Sequence, residues 1–261
     1  MDFKITAIIN AWADTLELLP FCISNIASMV DDVVVIWSKK SNRGNESDDM
    51  LEFILAYNPG FQLRNRVFFR QLEPIKASPN VNEIRKRNYG LKCAYEIGAT
   101  HFIMMDADEF YRRDEFLLEW RKFITNKDLN GVVCKLKVFI GKPTLWCDDH
   151  TLVPAIHKLR RNTEVGPFRR YPFAVDKGGT AHIDPTRRVN ETNGVIMGQM
   201  TMYHMSYVRK NMKMKIDNSS ANLSKSQDMI MTEIGEAHAG YKSKMYNQIL
   251  QECPNYFNIS F

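Results

Sequence analysis

HFIMMDADEF, residues 101–110, joins a four-residue apolar run, Phe102 to Met105, to three carboxylates, Asp106, Asp108 and Glu109. A run this short, preceded by Gly98 and closed by acids, reads as a buried strand ending in a loop. In extended backbone, residues two apart face the same side, roughly 6.5 to 7 Å apart along the chain. Asp106 and Asp108 can therefore address one hydrated divalent cation. Mg²⁺ or Mn²⁺ suits that arrangement, because such ions take one or two carboxylates and complete their shells with water and phosphate oxygens. A bare Asp-x-Asp is equally an acidic turn, so its neighbours decide its meaning.

Upstream, Asn80 with Glu83 three residues on predicts a helix N-terminus, with Ile84, Leu91, Ala94 and Tyr95 on one face and Gly98 at its end. Residues 66–72 read as the strand before it. VVVIW (33–37) is another strand, followed by the polar loop SKKSNRGNESDD and a short helix, MLEFILAY, that stops before Asn58. FKITAII (3–9) is the first strand, and Asp14 with Glu17 predicts the cap of the helix LELLPFCISNIA. Strands alternating with helices predict an α/β fold: a mixed, mostly parallel sheet with helices on both faces and ligands at the carboxyl ends of its strands.

Downstream, a helix (114–126) and a strand (132–139) precede a stretch from about 140 to 196 that reads as irregular and substrate-facing. A last strand, 198–203, runs into His204, and a largely polar helical tail follows.

The chain has 261 residues, 44% of them apolar, with 35 Lys and Arg against 30 Asp and Glu, a net charge of +5. That is the composition of an ordinary globular protein with a real core. Its longest apolar runs fall far short of the roughly 18 to 20 residues that cross a bilayer. The first residues lack the pattern of a secretory signal, so the expected location is cytoplasmic, or peripheral at a membrane surface. Cys22, Cys93, Cys134, Cys147 and Cys253 form no C-x-x-C pair and read as reduced thiols. Cations gather in the second half, at Arg160, Arg161, Arg169, Arg170, Arg187, Arg188, Arg209, Lys210, Lys213 and Lys215, and suit an anionic ligand.

The order Arg87-Asn88-Tyr89-Gly90-Leu91, helix, Gly98-Ala99-Thr100-His101, strand, Asp106-Ala107-Asp108-Glu109-Phe110 resembles the core of nucleotide-sugar glycosyltransferases of the GT-A (Rossmann-like) fold, especially glycosyltransferase family 2. Asn10-Ala11-Trp12-Ala13-Asp14 with Leu18, Leu19 and Pro20 is similar to the family's first strand-to-helix junction, where the base packs. Met202 to Arg209, followed by Lys213 and Lys215, is similar to an H-x-S-Y-V-R…K block of lipopolysaccharide-type members. Family members usually carry an acid after the second strand; here Asn42 stands in that loop, behind Trp37 and Ser38.

The resemblance implies a metal-dependent transfer of a sugar from a nucleotide donor, a UDP-sugar first, to an acceptor hydroxyl, with inversion. It implies a catalytic domain over 1–215, with a donor half (1–110) and an acceptor and catalytic half (111–215), then a helical extension over 216–261. Asp108 is the implied metal carboxylate, Asp106 its partner or a ribose contact, and His204 a further ligand. Asn10, Trp12, Asp14, Trp37, Ser38, Arg87 and Asn88 are implied donor contacts, and Arg209, Lys213 or Lys215 would meet the phosphates. Asp184 is the expected base, with Asp176, Glu191 and the Asp148-Asp149 pair competing. Trp37 reads equally as a core aromatic, and Asp184 as an Asp-Pro turn initiator. The acceptor class stays open among glycan, lipid-linked sugar, protein and modified DNA base. A nucleotidyltransferase of the same fold would want a Gly-rich phosphate loop after the first strand, which Asn10 to Asp14 does not supply. A nucleic-acid-binding protein using the basic half is the alternative of a different class.

Overall fold

Strand and helix alternate through the first four strands of the computed structural model, which describes residues 3–57, 66–168, 182–191, 193–218 and 227–261. β1 (Ile5–Asn10) leads through a 3-10 turn (Ala13–Thr15) to α1 (Leu19–Ala27), β2 (Asp32–Trp37), α2 (Asp49–Ala56), β3 (Val67–Gln71), α3 (Pro79–Glu96) and β4 (His101–Asp106). There follow β5 (Glu109–Tyr111), α4 (Arg113–Thr125), β6 (Gly131–Ile140), β7 (Leu145–Lys158) and three two-residue strands, β8 (Val165–Gly166), β9 (His182–Ile183) and β10 (Arg188–Val189). β11 (Val195–Tyr207), α5 (Met212–Asn218), α6 (Gln227–Glu236) and β12 (Gln251–Glu252) complete the chain.

The main sheet has the order β3-β2-β1-β4-β7-β6-β11-β5, with β9 and β12 also paired to β7. β1 to β4 are mutually parallel, and β6 and β11 run the same way, while β7 is antiparallel to β4 and β6, and β5 to β11. This is the mostly parallel, helix-flanked α/β sheet expected.

Alternate side chains of each central strand go to opposite faces. Ala7, Ile9, Val33, Val35, Ile103 and Met105 join α1, α2 and α4 in one core, whereas Ile8, Val34, Ile36, Phe102 and Met104 join α3 in another. Burial on both faces explains why these strands read as unbroken apolar runs. Gly90 brings α3 close to the sheet, since a Cβ there would sit 2.3 Å from Ile8 Cγ2.

Several sequence expectations need correcting. The stretch from 140 to 196 is not irregular throughout: β7 supplies fourteen residues of central strand. Pro154 disguised it, and it sits where the β6–β7 register shifts between Gly131 and Val133, a place where a strand tolerates proline. α1 begins at Leu19 rather than at Asp14, because Trp12 and Thr15 cap a separate turn and Pro20 fits the first turn of the helix. α3 is capped by Ser78, which accepts from Val81 N, with Pro79 next, so Asn80 lies inside the helix. β11 continues past His204 to Tyr207.

α5 crosses the boundary expected at 215. Beyond it, the described part of the extension is helical at α6 only, and then irregular apart from β12. Ile230 and Leu250 pack with Val138, Ile140 and Tyr207, and Phe257 lies against Phe110 and Tyr203. The five cysteines are free thiols. No helix of the described residues is long and apolar enough to cross a membrane. Arg169, Arg170 and Asp176 lie outside the described residues.

Candidate active site

The carboxylates stand where β4 turns into β5. Asn10 at the end of β1 is in register with Asp106 at the end of β4. Asp108 lies in the turn, and its carbonyl accepts from Met205 N at 2.7 Å. Glu109 opens β5, directly opposite His204 on β11. A three-rung ladder thus sets the imidazole beside the acids.

Asp108 is 1% exposed. Its Oδ2 accepts from Arg209 Nη2 and, at 3.0 Å, from Lys215 Nζ. Its Oδ1 lies 3.5 Å from His204 Nε2 and, among the described residues, has no hydrogen bond within ordinary geometry. Burial raises the proton affinity of this carboxyl, but Lys215, His204 and Arg209 together outweigh burial and hold it well below the usual range. Asp108, Glu109 and His204 bring one ligand atom each within 4.8 Å of one another, the one such group among the described residues.

Asp106 faces a different set of charges. Arg87 Nη2 lies 3.2 Å from both its oxygens, Arg187 Nη2 2.6 Å from Oδ2, and Asn10 Nδ2 3.5 Å from Oδ1. Burial opposes ionisation here too, yet the two guanidiniums overcome it and hold the carboxyl at about 2. Arg187 also donates from Nη1 to Glu109 Oε2 at 2.7 Å and from Nη2 to Oε1, and its Nε is 3.1 Å from Asp184. Glu109 is nevertheless raised, because its burial exceeds what Arg187 offsets. Asp184 also accepts from Thr186 N and Oγ1 at 2.8 and 2.7 Å. Burial would raise its carboxyl, but Arg187 and Arg87 bring it below the usual range.

Beside these carboxylates lies a cleft of about 100 Å³, lined by Asn10, Trp12, Asp14, Ser41, Asn42, Glu83, Lys86, Asp106, Asp108 and Lys215 among others. Burial raises the Asp14 carboxyl, against Lys215 and Arg209. Glu17 ties down the segment that carries the cations: its carboxylate accepts from Lys210 N at 2.6 Å and Asn211 N at 2.9 Å, just before α5.

The expected residues divide accordingly. Asn10, Trp12, Asp14, Asp106, Asp108 and Lys215 line the cleft; Arg87, His204 and Arg209 bind its walls. Trp37 does not: it is buried in the core. Ser38 is buried and donates to Lys40 O, shaping the loop. Asn88 braces Val165 through two backbone hydrogen bonds, and Lys213 is exposed and paired with Asp217. Asp184 sits behind Arg187, outside the lining. Glu191 pairs with Arg160 near the start of β6, the opposite end of the sheet, and Asp148 and Asp149 face Lys137 and Leu136 in the β6–β7 ladder. Sequence reading makes Glu17 and Glu83 helix-capping residues and Arg187 one of the gathered cations, and it assigns nothing to Lys86.

The chain matches no protein-family model and no curated protein. Among solved structures it is similar to S. aureus TarS, at 15% identity and a TM-score of 0.46 over 93% of this chain and 44% of that one. A shorter TarS structure, in complex with UDP-GlcNAc, matches at 20% identity and a TM-score of 0.39, over 54% of this chain and 36% of that one. A cytidylyltransferase from Leptospira borgpetersenii matches at 14% identity and a TM-score of 0.37, over 60% and 61%. The chain thus spans less than two thirds of the length of each.

Proposed function

We propose that this protein is a GT-A glycosyltransferase that moves a sugar from a nucleoside diphosphate donor, a UDP-sugar first, to an acceptor hydroxyl. The observation that carries this reading is the divided state of Asp108: one oxygen is clamped by Arg209 and Lys215, while the other is buried, without a hydrogen bond, beside His204. A carboxylate and an imidazole presented together at a polar cleft suit Mn²⁺ better than Mg²⁺, with water and phosphate oxygens completing the shell. Asp108 and His204 would hold that ion, which when bound would offset charge developing on the diphosphate.

In the transfer, the bond between the anomeric carbon and the diphosphate oxygen breaks, and its electron pair leaves with the nucleoside diphosphate. Lys215 and Arg209, the cations held beside Asp108, are the groups proposed to meet that charge. The acceptor oxygen forms the new bond to the anomeric carbon, with inversion, and its proton passes to a carboxylate. Asp184 is the proposed base: Arg187 and Arg87 hold its carboxyl below the usual range, and an acceptor would meet it beside the Arg187 clamp on Asp106, outside the lining of the cleft. Glycan, lipid-linked sugar, protein and modified DNA base are the acceptor classes to screen.

The test is UDP release from UDP-sugars with and without Mn²⁺. Wild type should require the ion, and Asp108→Asn and His204→Ala should each lose at least about a hundredfold, on the scale of removing one transition-state contact. Release that ignores both the ion and the substitutions would refute the reading. Salt-dependent DNA binding that persists in Asp108→Asn would favour a binding module instead.

A further inference from the structure

Lys86 is the cation lining the cleft that the chemistry above leaves unused. It lies on α3 immediately before Arg87, is 4% exposed, and lines the cleft with Asp106, Asp108 and Lys215. The helix turns about 100° between neighbours, so Arg87 reaches Asp106 while Lys86 faces the junction after β1 and the loop at Ser41 and Asn42. Among the described residues its ammonium has no hydrogen bond and no ion pair. The acids around it, Asp14, Glu73, Glu83 and Asp106, attract it from a distance. Each has a partner of its own: Arg209 Nη1 at 4.0 Å for the Asp14 carboxylate, the Lys39 and Lys40 amides for Glu73, Arg87 for Glu83, and Arg87 with Arg187 for Asp106.

A lysine buried along its stem, with an unpaired ammonium at a cleft, is an arrangement that a fold keeps for a ligand more readily than for stability. We infer that Lys86 is a donor-binding cation whose ammonium pairs with a phosphate oxygen of the nucleoside diphosphate, in the same cleft as Asp108 and Lys215. The inference rests on the reading of the site as a nucleotide-sugar site. A compact ammonium complements an anionic oxygen better than the neutral edge of a base, and in a desolvated cleft the attraction is stronger than in water. Burial has pushed the amine down to about 8, the direction that an anion at contact distance would reverse.

The experiment compares wild type, Lys86→Met and Lys86→Arg in Mn²⁺ by calorimetry, using whichever of UDP, GDP, CDP and ADP the wild type binds, and the corresponding nucleoside. Thermal unfolding is measured without ligand. Lys86→Met should bind the diphosphate at least tenfold more weakly and the nucleoside unchanged, and should melt at or above the wild-type temperature, because an unpaired buried charge has gone. Lys86→Arg should recover part of the affinity. Equal diphosphate affinity in wild type and Lys86→Met overturns the inference alone. So does a parallel loss of nucleoside binding, which would put the amine on the base, or a lower melting temperature, which would make it a structural counter-ion. A wild type that binds none of the four diphosphates overturns both this inference and the proposed function.

Discussion

Lys215 Nζ stands 3.0 Å from Asp108 Oδ2, across 107 positions of chain, and Arg209 shares the same oxygen. Two cations on one oxygen neutralise a carboxylate that is itself 1% exposed, while the second oxygen is left to His204. On the proposed function, stability and chemistry fall to different atoms of one side chain.

That division predicts different outcomes for two substitutions. Asp108→Asn leaves Arg209 and Lys215 facing each other without their counter-charge and should cost about 3 to 5 kcal/mol. His204→Ala removes a partly exposed ring 3.5 Å from Asp108 and should cost under about 1 kcal/mol. Urea midpoints at pH 7 give both numbers. Equal costs would mean that the imidazole is as structural as the carboxylate.

Acid should weaken the fold in two stages. His101, against Trp120 and Phe123, and His157, stacked on Phe102, are pushed by burial from 6.5 to about 4. The unfolded chain takes up those protons first, so stability present above pH 6.5 falls between about 6.5 and 4, by roughly 1.4 kcal/mol per pH unit for each ring. Asp106, held at about 2 against an ordinary 3.8, extends the loss below that range. Urea midpoints from pH 7.5 to 3 test this; a flat profile down to pH 4.5 would contradict it.

Glu17→Ala should cost about 1 kcal/mol, the value of a helix cap, because it frees the Lys210 and Asn211 amides at the start of α5. α5 carries Lys215, so donor KM should rise several-fold with kcat little changed. Thermal unfolding and donor titration check the two halves. An unchanged KM would show that Lys215 does not depend on the cap.

Much of this arrangement was legible before any coordinates. β1 to β4 declare themselves through unbroken apolar runs separated by helices, and Asp106 and Asp108 through their place at a strand end. β7 was hidden because Pro154 and the acids Asp148 and Asp149 interrupt its pattern. Trp37 stays open between the two readings because an aromatic at the end of a strand looks the same in sequence whether it faces a core or a cleft. Arg187 and Glu17 act only through partners far away in the chain, Asp106 and Glu109 in one case, the Lys210 and Asn211 amides in the other, and no local pattern encodes such a meeting.

Gly90→Ala should destabilise by about 1 to 3 kcal/mol, the usual cost of overpacking. The new Cβ would meet Ile8 Cγ2 at 2.3 Å and Ile36 Cγ1 at 3.3 Å, both in fully buried side chains. α3 would have to lift, carrying Arg87 off Asp106. A melting temperature equal to wild type would show that the strand side chains can yield.

The pairing of Glu109 with His204 has one more implication. Side chains alternate along a strand, so a slip of a single rung would point the imidazole to the far side of the sheet and leave Asp108 facing an amide plane. Strands so distant in sequence join late in folding, so on the proposed function cation affinity would gauge maturity: a chain with its first four strands assembled but its last long strand undocked would own every acid and still grip nothing.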